Sequence, residues 1–504
     1  MWRRISPSLQ ESEHSSVKLT RPAIAAAAVA LVTAGAVPVV HYASSLDDDT
    51  PAVLSAAQST VNTTLPETTT SETTEPTEKS TTSETSATST SNEPTPTTSE
   101  LVPEGSSKDT TNEDLTSKDG KDDSATDADA DATVLSEDAA KLNPMGEDMQ
   151  QHPAIKELGE VPKTMSGADQ RWVKRLADNQ HVWKNEALRV YSESMGRYIP
   201  VAVFYATNDK GETVENAPTV YLLNGAGGSE QDTDWVSQAL EEVHEVYGHS
   251  GANVVIPMEG AFSYYVDWAA EPPTENNVFY KGKQMWSTFL AKELPQAIEP
   301  YIKADPNRRG VIGMSMSATS SLLLAEHNPN MFKAVGSFSG CPATSRPLPS
   351  FFINLTVDRA APGVMTPEYI FGPMGSDYNR RYDALVNAPA LAGTDTKVYI
   401  STGTGLAAET DMPGTLRKRL EDAGLDSSDA FVKGSANAAT LLVEGGAIEA
   451  AMNACTHDFL VKARANGAEV AHAELRPVGT HSWPVWRDDL KRSYETVFKS
   501  ALGL

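Results

Sequence analysis

The pattern of apolar and polar positions divides the chain near residue 150. Beyond it, short runs rich in β-branched and aromatic residues alternate with stretches of helical period. Strands are predicted at 199–205, 219–223, 253–257, 310–312, 335–338, 397–401 and 470–475. Helices are predicted at 235–247, 285–302, 316–326 and 447–465. Strands that alternate with helices imply an α/β fold: a mostly parallel sheet covered by helices on both faces. In such sheets, functional groups gather just beyond the carboxyl ends of the strands. No repeat of 20–50 residues interrupts the pattern.

Before residue 150 the pattern is different. Arg3, Arg4, Lys18 and Arg21 precede an apolar run from Pro22 to Val40, and Ala34-Gly35-Ala36 offers a small-residue cleavage site. This is the layout of an export signal; the run is also long enough for an uncleaved anchor. Residues 45–150 then hold 24 Asp/Glu against 5 Lys and no aromatic residue, so they carry most of the chain's net charge of −27. Crowded with Ser, Thr and Pro, this stretch buries too little apolar surface to offset its ordering entropy and is predicted to be a disordered, charge-extended linker. A stalk carrying O-linked sugars is a second compositional reading. The expected organisation is therefore 1–44 signal or anchor, 45–150 linker and 151–504 globular domain. The acidic balance gives no footprint for nucleic acid. The two cysteines, Cys341 and Cys455, are predicted to form one disulfide in an exported chain.

The informative stretch is GVIGMSMSATSSLLLAEHNP, residues 310–329. An apolar strand runs into Gly313-Met314-Ser315-Met316-Ser317 and a helix begins at once. That is the strand–turn–helix layout of a nucleophile elbow, with Ser317 where the common motif has glycine. An elbow of this kind predicts an α/β-hydrolase fold. A nucleophilic serine needs a base, which in this fold lies in a loop after the last strand. Of the ten histidines, only His481, in Gly479-Thr480-His481-Ser482-Trp483, is so placed. Spacing points to Glu409 or Asp411, just after the 397–401 strand, for the acid. The Gly-rich turn Asn224-Gly225-Ala226-Gly227-Gly228 ends an early strand and supplies one oxyanion N–H, from Ala226; Met316 supplies the other. The turn lacks the spacing of a phosphate loop.

Several blocks in order across residues 186–490 resemble the antigen 85-type mycolyltransferases of mycolate-bearing bacteria. They are Ser194-Met-Gly-Arg197, Val220-Tyr-Leu-Leu-Asn-Gly225, the stretch ending Val266-Asp-Trp268, Met285-Trp-Ser-Thr-Phe-Leu290, the elbow itself, and Gly479-Thr-His-Ser-Trp-Pro-Val-Trp486. The irregular Ser317 is similar to that family's own elbow.

The resemblance implies a seryl acyl-enzyme that moves a mycolyl group from trehalose monomycolate to a sugar hydroxyl, of trehalose monomycolate or of wall arabinan. It calls for neither cofactor nor metal and places the protein, secreted or anchored, in the cell envelope. It moves the acid to Glu449, on a helix, with Glu444 and Asp411 behind it. A Cys341–Cys455 bridge would then pin the acid's helix near the site. Trp268 and Trp483 are available for sugar stacking or acyl contact, and Asn224 is a candidate substrate contact, although Asn224 and Gly227 stand where the family carries an acidic and a basic residue against trehalose. An insertion at 351–392 is expected to form part of a cover over the acyl chain. A carboxylesterase with the same triad, or a non-catalytic carbohydrate-binding surface protein, are the alternatives.

Overall fold

The computed structural model describes residues 153–208, 210–272 and 279–504. The expected export segment and acidic linker lie outside the described residues. Among those described, no helix is long and apolar enough to cross a membrane.

Nine strands form one sheet in the order β1-β2-β3-β5-β4-β6-β7-β8-β9. They are β1 (Ile155–Glu157), β2 (Asn185–Ser192), β3 (Arg197–Phe204), β4 (Ala217–Leu223), β5 (Asn253–Pro257), β6 (Ala304–Met314), β7 (Ala334–Phe338), β8 (Lys397–Thr402) and β9 (Val470–Leu475). From β5 through β4 to β9 the strands run parallel, whereas β1, β2 and β3 pair antiparallel and join the rest through β3 and β5. This is the α/β-hydrolase arrangement. The seven predicted strands all form. β1 and β2 are not among the predicted strands; β2 pairs with β3 through the turn Glu193-Ser194-Met195-Gly196. Gly196, at φ 65°, closes that turn.

The central strands are buried on both faces, which explains their continuous apolar runs. Successive side chains go to opposite faces. Tyr221, Leu223 and Val311 join one core with Phe289, Leu322 and Phe459. Val220, Leu222 and Ile312 join the other with Trp235, Leu490 and Phe498.

Helices α1 (Arg171–Asp178), α2 (Trp235–Tyr247), α3 (residues 286–302, with a π turn at Phe289–Glu293) and α4 (Met316–His327) precede α5 (Pro347–Asp358). They are followed by α6 (Pro413–Asp422), α7 (Ser427–Thr440), α8 (Gly446–Ala465) and α9 (Trp483–Ser493). The 351–392 insertion forms most of α5 and the short helices Pro367–Phe371, Asp377–Arg381 and Ala384–Asn387. Ion pairs at both ends, Arg346–Asp458 at 2.9 Å and Arg359–Glu444 at 3.5 Å, lay α5 along α8.

Candidate active site

Ser315 sits between the last residue of β6 and the first of α4, at φ 57° and ψ −121°. A non-glycine residue in this region is strained, and the strain holds its side chain clear of the sheet. Gly313 is required two residues earlier, because a Cβ there would overlap the carbonyl of Ser317. Ser317 is buried and its hydroxyl is fully employed. It accepts from Met314 N at 3.0 Å and lies 3.1 Å from the carbonyl oxygens of Leu223 and Met314. The residue that departs from the common motif thus ties the elbow to the end of β4.

His481 lies in the loop between β9 and α9. Its Nε2 is 2.7 Å from Ser315 Oγ and its Nδ1 is 2.8 Å from Glu449 Oε2. A carboxylate only accepts, so Nδ1 carries the proton and Nε2 is left to accept from the serine. The imidazole stands edge-on to Trp486, with centroids 5.0 Å apart, and His481 N donates to Gly445 O at 3.1 Å.

Glu449, in the first turn of α8, is fully buried. Its Oε1 accepts from Gly403 N at 2.6 Å, Ser339 Oγ at 2.9 Å and Thr402 Oγ1 at 3.1 Å. Thr402 ends β8, Gly403 follows it, and Ser339 follows β7. The rule that locates function beyond strand ends covers them, but no motif singled them out.

Of the acids suggested by spacing, Glu409 is exposed. Asp411 is buried beside the site but binds Ala408 N at 2.9 Å and Ser482 Oγ at 3.4 Å instead of the imidazole. Glu444 faces Arg359.

A Cβ placed on Gly225 would be 3.7 Å from Ser315 Cβ, so the glycine-rich turn runs against the serine. Phe262 N donates to Ala226 O at 2.7 Å and holds the loop there, while the N–H groups of Ala226 and Met316 make no hydrogen bond among the described residues. Further along the same loop, Glu230 is buried and accepts from Gly260 N at 2.9 Å and Ala261 N at 3.2 Å. Burial, reinforced by the nearby Glu259 carboxylate, pushes Glu230 up to about 7 despite those two donors.

Three expected substrate contacts require correction. Asn224 is fully buried and spends its amide on Trp235 N and Pro257 O, at 3.0 and 2.9 Å. Trp268 is buried, donates to Ser263 O at 3.0 Å and packs on Tyr280. Trp483 is buried between Trp235 and Trp486, with 5.3 Å to each ring. The two tryptophans fill the core, because a large ring beside a loop gains more from burial than from facing solvent.

The expected disulfide is present. Cys341, after β7, is bonded to Cys455, in α8, across a sequence separation of 114. Thr319 Oγ1 donates to Cys341 O at 2.8 Å, which links the bridge to the elbow helix.

This sheet, with a serine at its elbow and a buried carboxylate behind the histidine, defines an α/β-hydrolase of the esterase type. Residues 192–496 match the family described as "Putative esterase", and the chain belongs to that family; its relatives include antigen 85-type mycolyltransferases. It is 29% identical over 273 residues to the diacylglycerol acyltransferase/mycolyltransferase Ag85C of Mycobacterium leprae, spanning 54% of this chain and 71% of the relative. The Ag85B protein of Mycobacterium intracellulare is 29% identical over 323 residues, spanning 63% and 83%. Among solved structures, Mycobacterium tuberculosis MPT51 aligns with 22% identity and a TM-score of 0.45 over 63% of this chain and 98% of its own.

Proposed function

We propose that this protein is a mycolyltransferase that moves a long acyl group between sugars through a seryl ester on Ser315. The observation that carries the reading is the unbroken hydrogen-bonded row Ser315–His481–Glu449 on a strained elbow. His481 Nε2 takes the serine proton as Oγ attacks the ester carbonyl of trehalose monomycolate. The oxyanion rests on the N–H groups of Ala226 and Met316. Glu449 holds the imidazole tautomer and balances the imidazolium. The proton then passes to the departing trehalose oxygen. In the second half, a hydroxyl of trehalose monomycolate or wall arabinan gives its proton to His481 as it takes the acyl group, the seryl ester bond breaks, and His481 returns the proton to Ser315 Oγ. Exposed Leu348 and Phe351 on α5, and Leu442 and Val443 ahead of α8, offer apolar surface to the acyl chain.

The organisation proposed around this domain is an export segment at 1–44 and a linker at 45–150, with residues 151–504 working at the cell envelope. Trehalose monomycolate should give trehalose dimycolate on thin-layer chromatography, and Ser315→Ala should give none. Free mycolate as the main product, even with added trehalose, would replace transfer with plain ester hydrolysis.

A further inference from the structure

A cavity of about 190 Å³ opens beyond the carboxyl end of β5, and the parallel neighbours β4 and β6 carry the glycine-rich loop and Ser315 at that same end. Its walls include Arg189 from β2, Glu230, Glu259 just beyond β5, and Lys281. The loop connects the two places: a Cβ on Gly225 would be 3.7 Å from Ser315 Cβ, and one on Gly228 would be 2.6 Å from Glu230 Oε2. The volume matches about six waters at roughly 30 Å³ each, or one sugar ring.

The side chains around it are unusual in what they leave unused. Arg189 has no carboxylate partner among the described residues, and its Nε is buried without a hydrogen bond. Glu259 is 5% exposed. Its Oε2 accepts from the half-exposed Lys281 at 3.4 Å, whereas its Oε1 lies 3.1 Å from Arg197 in an ion pair but makes no hydrogen bond among the described residues. Glu230 commits Oε1 to two backbone N–H groups and keeps Oε2 3.3 Å from Ser229 Oγ. Buried donors and acceptors left in this state are costly unless something satisfies them.

The charges restrict what that is. Two buried carboxylates oppose an anion, and Arg189, Arg197 and Lys281 oppose a cation. A neutral group that both donates and accepts at neighbouring atoms suits the walls, and vicinal hydroxyls do so. The glycine-rich loop itself offers no polar side chain to a sugar, since the Asn224 amide is spent inside the protein.

We propose that this cavity is a sugar subsite, in which Arg189 donates to, and Glu259 and Glu230 accept from, the hydroxyls of one ring of the acceptor. The inference rests on the transfer reading above, for it gives the acceptor a place beyond the oxyanion loop.

Trehalose serves as the probe. Calorimetric titration of Ser315→Ala protein should show binding, and adding Arg189→Met should weaken it about ten-fold or more. Lys281→Ala, at the exposed mouth, gives a second variant if Arg189→Met loses its circular-dichroism spectrum. With Ser315 intact, p-nitrophenyl butyrate as donor and trehalose as acceptor, Arg189→Met and Lys281→Ala should each shift product from trehalose ester to free butyrate. Equal trehalose affinity and an unchanged product ratio in both variants would overturn the subsite. So would a protein that hydrolyses p-nitrophenyl butyrate but binds no trehalose. A protein that cleaves no p-nitrophenyl ester, yet binds trehalose through Arg189, would keep the subsite and remove the seryl mechanism.

Discussion

Glu449 Oε2 lies 2.8 Å from His481 Nδ1, and it reaches the imidazole from the first turn of a helix, not from the loop after β8. Asp411, which occupies that loop, is just as buried and misses the ring by one residue, meeting Ser482 instead.

Glu449→Gln should lower acyl transfer and ester hydrolysis by about 10³- to 10⁴-fold, because an amide no longer enforces the Nδ1–H tautomer. Steady-state kinetics with p-nitrophenyl butyrate measures this. A near-normal rate in Glu449→Gln would return the acid's role to Asp411.

Ser315→Ala should abolish covalent labelling by an alkyl phosphonate, read as the missing mass increment on the intact protein. Labelling that persists in this variant would remove Ser315 from the mechanism.

Ser317→Ala should destabilise the fold by about 1–3 kcal/mol, since it strands the buried Met314 N–H and the bond to Leu223 O. Urea denaturation gives the number. An unchanged midpoint would show that the hydroxyl does not tie the elbow to β4.

Breaking the Cys341–Cys455 bridge should cost roughly 4–5 kcal/mol in the chain-entropy account of so long a loop. It should also reduce the rate, as α8 carries Glu449 six residues before Cys455. Paired melts and assays of Cys455→Ser, beside wild type, test both effects.

Glu230 gives a pH signature in stability. Its folded pKa, pushed up to about 7 by burial and then by Glu259, lies above that of an unfolded glutamate near 4.5. Between those values the folded state holds the extra proton, so stability falls as pH rises from about 4.5 to 7 and levels off above. The loss is of order 3 kcal/mol. Glu230→Gln should flatten this slope in denaturation series at pH 5, 6, 7 and 8, and a parallel slope in both proteins would refute it.

The chain's own order of residues determined the parallel strands, the elbow at Ser315 and the loop carrying His481. Each is a local matter: apolar runs of strand length, a small residue where strand and helix meet, a polar turn between two elements. Spacing alone could not determine the acid. Glu409, Asp411, Glu444 and Glu449 are all carboxylates of similar reach, and resemblance, not pattern, favoured Glu449.

Only the tertiary structure decided which carboxylate is aimed. It did so by bringing Ser339, Thr402 and Gly403, from two different strand ends, onto one oxygen of Glu449. It also turned Asn224, Trp268 and Trp483 inward, because burial depends on what packs against a side chain from distant parts of the chain. The cavity at Arg189 and Glu259 arises in the same way: β2, the loop after β4 and the end of β5 are far apart in sequence and meet only when the sheet is assembled.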